Sequence, residues 1–222
     1  MAQVSNTEVY GLDESIIASG YPMLKEYKES VMDDIQDNLQ FSKHIKRADI
    51  LANEKRPAHS NYLKWIIAQF DLTFSNKARV EAERYHFLDF VSSMSTMHRL
   101  TQMDLDKAFN EYVTPEMIAE LKKLQEAYLN EPTRENKLRL LYNCPAWLEL
   151  TARMTTNYME LRNIYHQRKN HQLPDWDVFC KWVETLPYSE WITWDNVLFE
   201  DNNLNAKTKT NKNDNQGTEE SV

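Results

Sequence analysis

The stretch Tyr62–Phe74, YLKWIIAQFDLTF, decides the fold. Within it Ile66, Ala68, Phe70, Leu72 and Phe74 alternate with Ile67, Gln69, Asp71 and Thr73. A strand sends successive side chains to opposite faces, so this period of two predicts a half-buried strand in an antiparallel sheet. Ser75 follows in the place of a helix N-cap, and NKARVEAERYHFLDFV (76–91) resumes a helical period built from strong helix formers. Strand therefore runs directly into helix.

Outward from this strand, helical spacing dominates. Upstream, a short N-terminal piece ends in SGYPM, Leu24–Leu39 has the mixed charge of a surface helix, and 44–58 (HIKRADILANEKRPA) is polar. That polar run ends at Pro57, which biases Arg56 towards extended backbone and signals a loop. Downstream, Thr114 and Pro115 open a helix with Met117, Leu121, Leu124 and Tyr128 on one side. Another helix is expected over 133–142, a long one from about Leu148 to Lys169, and a last one between Pro174 and Pro187. The expectation is an α+β fold: an antiparallel sheet with several packed helices, helix-rich, in a single domain over 1–200. The segment 201–222 has too few apolar residues to offset its ordering entropy and is expected to be a disordered tail.

Composition narrows the function classes. The chain has 222 residues, 41% of them hydrophobic and 11% aromatic, enough for one sizeable core. A net charge of −8 disfavours a long phosphate backbone as partner but leaves room for a small phosphorylated ligand held by a few arginines. No apolar run approaches the roughly 20 residues that span a bilayer, and the N-terminus lacks a basic region followed by a greasy one, so a cytoplasmic protein without a membrane partner is expected. With three glycines there is no GxGxxG and no phosphate loop, which excludes the glycine-rich nucleotide folds. Cys144 and Cys180 have no CxxC partner and read as reduced, small hydrophobes. None of His44, His59, His86, His98, His166 and His171 has a second ligand at HExxH spacing, so no metal is expected.

Two stretches carry unusual polar chemistry. ERYHFLDFVSSMSTMHRL (83–100) embeds two arginines, two histidines, an aspartate and three serines among aromatics and methionines. A helix with a polar side accounts for it as well as a site does, but its place after the strand favours ligand-binding groups. In NYMELRNIYHQR (157–168), Asn157, Leu161, Ile164 and Arg168 fall on one helical stripe, an amide and a guanidinium flanking apolar residues. Either the helix leaves the core at both ends, or the stripe faces a ligand both greasy and polar.

The order of these features resembles that of the flavin-dependent thymidylate synthases. His59 stands where the family has a loop histidine, then comes the strand, and Arg84-Tyr85-His86 stands where the family has Arg-His-Arg. Ser95, after a one-residue insertion, matches a serine near the substrate phosphate; Pro145 precedes the last long helix; and Asn157, Asn163 and Arg168 match two asparagines and a substrate-binding arginine. The correspondence spans roughly residues 57–170. The family motif RHRxxSxNExSxRY is reduced here to Arg84, His86, Asp89 and Ser95: Tyr85 stands for its histidine, His86 for its second arginine, Ser92 or Ser93 for its glutamate, Met97 for its later arginine, and Leu141 for an upstream phosphate-binding arginine. Arg99, Arg139 and Arg153 lie near enough in sequence to substitute.

The resemblance implies flavin-dependent one-carbon (methyl) transfer to a dUMP-like pyrimidine deoxynucleotide. FAD would be held by His59, Arg84, His86, Asn157 and Asn163, and the nucleotide by Ser95, Arg99, Arg153 and Arg168. Arg168 would be the catalytic group at the uracil, Ser95 a phosphate ligand rather than a nucleophile, and NADPH and methylenetetrahydrofolate possible co-substrates. It also implies a homotetramer with no nucleic-acid partner, and so divergent a chain would suit a bacteriophage. The alternatives are a catalytically inactive nucleotide- or protein-binding member of the same fold, and a purely structural helical protein.

Overall fold

A computed structural model describes residues 1–53 and 57–194, of which 57 and 58 are described by backbone alone. Arg56 and the expected tail lie outside the described residues. The chain runs β1 (Gln3–Tyr10), α1 (Leu12–Ala18), α2 (Asn38–Asn53), β2 (Ile67–Ser75), α3 (Asn76–Ala82), β3 (Asp89–Ser93), α4 (Thr96–Arg99), α5 (Pro115–Asn130) and α6 (Arg134–Tyr142). It continues with β4 (Glu149–Asn157), α7 (Tyr158–Arg168), α8 (Pro174–Val183) and α9 (Glu190–Thr193), and 3-10 turns cover Tyr21–Met23, Glu29–Gln36, Pro57–Trp65 and Leu100–Gln102. The four strands form one sheet in the order β1-β2-β4-β3, with every neighbouring pair antiparallel. The fold is α+β and helix-rich.

The period-two reading of β2 is correct in face. Ile66, Ala68, Phe70 and Phe74 are fully buried and Leu72 nearly so, whereas Gln69, Asp71 and Thr73 are half-exposed. Helix α8 lies on the apolar face. Phe70 packs at 4.2 Å from Trp182, and Phe74 at 5.2 Å from Trp176, ring centre to ring centre. Each such ring removed from water contributes about 1.5–3 kcal/mol. Ser75 caps α3 as predicted, its Oγ accepting from the Ala78 amide at 3.2 Å.

Several expected elements differ. Glu149–Asn157 is a central strand rather than the first half of a long helix, with Leu150, Ala152, Met154 and Thr156 inward and Thr151, Arg153 and Thr155 outward. Its Thr-rich alternation outweighs the helix propensity of Leu, Glu, Ala and Met, because nine residues pair with β2. Helix α3 ends at Ala82, and Asp89–Ser93, which overlaps the end of the expected helix 76–91, pairs with β4. Residues 44–53, expected to be loop, belong to α2, where Phe41, Ile45, Ala48 and Ala52 at i, i+4, i+7 and i+11 pack on the core and the Asp37 carboxylate accepts from the Leu39 amide. The expected surface helix at 24–39 is instead a 3-10 turn over Glu29–Gln36.

The N-terminal piece is the edge strand β1, followed by Gly11 at φ +68°, where a Cβ would come within 2.8 Å of the Trp65 carbonyl. A second apolar cluster, with Leu100, Leu105, Leu121, Leu140 and Leu148, lies under α5 and α6 and meets the first along β4. Both cysteines are free; Cys180 is buried and Cys144 half-buried.

Candidate functional site

Where β4 passes into α7, the backbone of Asn157 is still extended and its side-chain oxygen accepts from the Glu160 amide at 2.9 Å. The predicted stripe is real: Leu161 and Ile164 are fully buried, with Asn157 and Arg168 at its two ends. Both ends close on the protein itself. Arg168 donates from Nε to the Tyr85 hydroxyl at 2.7 Å and from Nη1 to Glu81 Oε2 at 2.8 Å. Its guanidinium lies 4.7 Å over the Trp176 ring and 5.5 Å over that of Tyr85.

Glu81 Oε2 also accepts from Trp176 Nε1 at 3.0 Å and stands 3.3 Å from His171 Nε2. The Tyr85 hydroxyl donates onward to Gln167 Oε1 at 3.1 Å, and burial raises its pKa against the opposing pull of Arg168. A planar cation held at two nitrogens and stacked on two rings has little freedom to turn. Its Nη2 has no hydrogen-bond partner among the described residues.

Asn163 lies one turn into α7 and donates to Glu160 Oε2 at 3.3 Å. Its neighbour Arg162, which the sequence did not single out, is buried and donates to the carbonyls of Trp191 at 2.8 Å and Ala52 at 3.3 Å. Burial lowers its pKa, so those carbonyls serve to satisfy a charge that joins α7 to α9 and α2.

The Arg84-Tyr85-His86 cluster lies in the turn after α3, with Tyr85 inward and its neighbours outward. Arg84 and His86 are exposed and neither side chain has a hydrogen-bond partner among the described residues; His86 stands edge-on to Phe87 at 4.5 Å. Beyond β3, Ser95 and Arg99 line one cleft of about 730 Å³ together with Ser93 and His98.

Other assigned residues fall elsewhere. His59 is exposed at a cleft of about 760 Å³ lined by Tyr21, Met23, Tyr62 and Trp65. Arg153 points from the outer face of the sheet, donating to the Asn6 carbonyl at 2.6 Å and to Asp71 at 3.4 Å. Arg139 pairs with Glu135 on α6 at 2.6 Å. The structure thus joins Arg168 to the Arg84–His86 turn through Tyr85, joins Ser95 to Arg99, and sets His59, Arg139 and Arg153 in other surroundings. Among the described residues no group of three His, Cys, Asp or Glu side chains is placed to hold a metal ion, and no helix is long and apolar enough to cross a membrane.

No protein-family model matches the chain, and no curated sequence matches it. Solved structures do. The flavin-dependent thymidylate synthase of Helicobacter pylori, complexed with FAD and dUMP, superposes with a TM-score of 0.63 at 16% identity over 87% of this chain and 98% of that one. A second structure of that enzyme with FAD and dUMP gives 0.62 at 16% identity over 89% and 99%. A UMP/dUMP methylase of Streptomyces cacaoi, bound with 5-bromo-dUMP, gives 0.57 at 10% identity over 89% and 95%. In architecture and chain order, the protein has the fold of the flavin-dependent thymidylate synthases.

Proposed function

We propose that this protein is a flavin-dependent enzyme that transfers a one-carbon unit to the base of a dUMP-like pyrimidine deoxynucleotide. The observation that carries the reading is the bracing of Arg168 by Glu81 and Tyr85 with Nη2 left unpartnered, in a chain whose fold is shared with enzymes solved with FAD and dUMP. A fixed cation is what a pyrimidine carbonyl needs as negative charge builds on it, because no reorganisation is required at the moment of reaction.

The residues present suit a flavin. Its pyrophosphate requires guanidinium and imidazole donors, and Arg84 and His86 stand exposed with their donors uncommitted among the described residues. Asn157 spends its oxygen on the helix cap and keeps its amide N–H groups. His59 and Trp65 line one cleft of about 760 Å³. A bound reduced flavin would supply the electrons by which a transferred methylene becomes a methyl group. Arg168 would orient the uracil, and Ser95 with Arg99 would meet the phosphate. The reading extends to methylenetetrahydrofolate as one-carbon donor, NADPH as reductant and a homotetramer.

The test is the visible absorption of the purified chain after incubation with FAD and removal of free flavin, then on addition of dUMP. A retained flavin spectrum that shifts with dUMP is expected. A colourless protein that ignores both ligands overturns the reading.

A further inference from the structure

Asp175, at the amino end of α8 directly after Pro174, is only 3% exposed. A carboxylate placed so deeply has given up most of its hydration, and both of its oxygens call for partners. Oδ1 has one: it accepts from the Ser75 amide at 2.9 Å, which ties α8 to the end of β2. Oδ2 has no hydrogen-bond partner among the described residues, and no lysine, arginine or histidine of those residues pairs with the carboxylate. The positive end of α8 offsets part of the charge and leaves that oxygen unmatched.

Asp175 lines a cleft of about 540 Å³, a size that suits small ligands. Asp177, Asn110 and the exposed rings of Tyr112 and Trp147 line it too, and no lysine, arginine or histidine does. The fold itself holds these walls. Phe109 bridges to Leu148, and the Glu149 amide donates to the Ala108 carbonyl at 2.9 Å, so the chain at Asn110 runs alongside the chain at Trp147. The Asn110 side chain then accepts from the Tyr112 amide at 3.2 Å, which fixes the turn that carries Tyr112. None of the residues assigned above to the flavin or the nucleotide lines this cleft.

We infer that this cleft is a binding site for an organic cation, a primary ammonium group on an aliphatic stem. Two carboxylates without a base set the sign of the charge it takes. An indole face attracts a cation and packs well against methylene groups, so Trp147 suits both parts of such a ligand. With Oδ1 committed to Ser75, Asp175 offers one oxygen, which matches a compact ammonium with separate donors better than the paired fork of a guanidinium. A hard metal ion fits less well: it wants roughly six oxygens, and among the described residues no three His, Cys, Asp or Glu side chains gather to hold one. The stem and its ammonium are common to polyamines and to lysine side chains.

The test follows the indole N–H resonance of Trp147 in the isotope-labelled full chain, assigned with Trp147→Phe, as n-butylammonium chloride is added against a sodium chloride control of equal ionic strength. A saturable shift in the ammonium series alone is expected. Asp175→Asn keeps an oxygen for the Ser75 amide and removes the charge, and it should weaken binding by about tenfold, the worth of one charge-assisted hydrogen bond. A resonance that moves no further than in the sodium control overturns the inference. So does an Asp175→Asn chain that melts like the natural one and binds n-butylammonium equally well. Should Asp175→Asn fail to fold, Asp177→Asn decides: binding weakened by about threefold or more upholds the site, and unchanged binding overturns it. Spermidine and Nα-acetyl-lysine methylamide then separate the sources. Tighter binding of spermidine assigns the site to a polyamine, tighter binding of the lysine derivative to a side chain of a partner protein, and either upholds it.

Discussion

Helix α7 and the segment from Arg79 to Arg99 carry the same kinds of side chain and treat them in opposite ways. On α7 the polar groups are braced: Asn157 caps the helix, Arg162 is satisfied by two carbonyls, and Arg168 is gripped by Glu81 and Tyr85 over Trp176. From Arg79 to Arg99, apart from Glu81 and Tyr85 that brace Arg168, they are open: Arg79, Arg84, His86, Ser93 and Ser95 have no side-chain hydrogen bonds among the described residues. Bracing suits a group that must hold one orientation while charge develops beside it. Openness suits groups whose partners arrive with the ligand. A guanidinium in a sequence motif is therefore not one kind of object, and its neighbours decide which kind it is.

The contrast predicts stability effects that fall off from the braced region to the open one. Trp176→Ala should cost the most, about 3–5 kcal/mol, since the ring is fully buried against Phe74 and Phe179; urea unfolding measures it. Phe87→Ala in the open turn should stay within about 0.5 kcal/mol, and an equal loss at both would erase the distinction. Next comes Glu81→Leu, expected to cost about 3 kcal/mol by leaving Arg168 without its counter-charge. Adding Arg168→Met should restore part of that loss, and strictly additive losses in the double-mutant cycle would mean that the pair is not coupled. Asn157→Ala should cost about 1 kcal/mol through the lost cap, read from the same unfolding curves. Smallest of all, Arg84→Ala should change stability by no more than about 0.5 kcal/mol while releasing flavin in the absorption assay. An Arg84→Ala chain that retains flavin would remove this residue from the cofactor site.

Much of the architecture was legible in the sequence because one signal was unmixed. β2 alternates over its whole length and its cap residue follows directly, so its face and the turn into α3 could both be read. β4 was hidden by composition: Glu149, Leu150, Ala152 and Met154 are good helix formers, and only Thr151, Thr155 and Thr156 betray the strand, whose stability comes from pairing on both sides. β1 was hidden because its alternation breaks at the irregularity between Ser5 and Glu8, where Asn6 takes φ 49°. β3 is only five residues long and lies in a run that opens with helix formers.

At the candidate site, spacing found Arg168 and Asn157 but gave no sign of Glu81, because that bond joins residues 87 positions apart. Nor did the sequence mark Arg79, which reads there as one more cation on a helix face. What sets it apart is the lack of a hydrogen-bond partner among the described residues, which only the packed structure reveals.

The most direct test of the contrast between braced and open groups is amide hydrogen exchange of the full chain, with and without FAD and dUMP together. Ligands should slow exchange across residues 84–99, where the polar groups await partners. Residues 158–168 should be protected already and change little. Protection that appears only in 158–168, or in neither segment, would contradict the account.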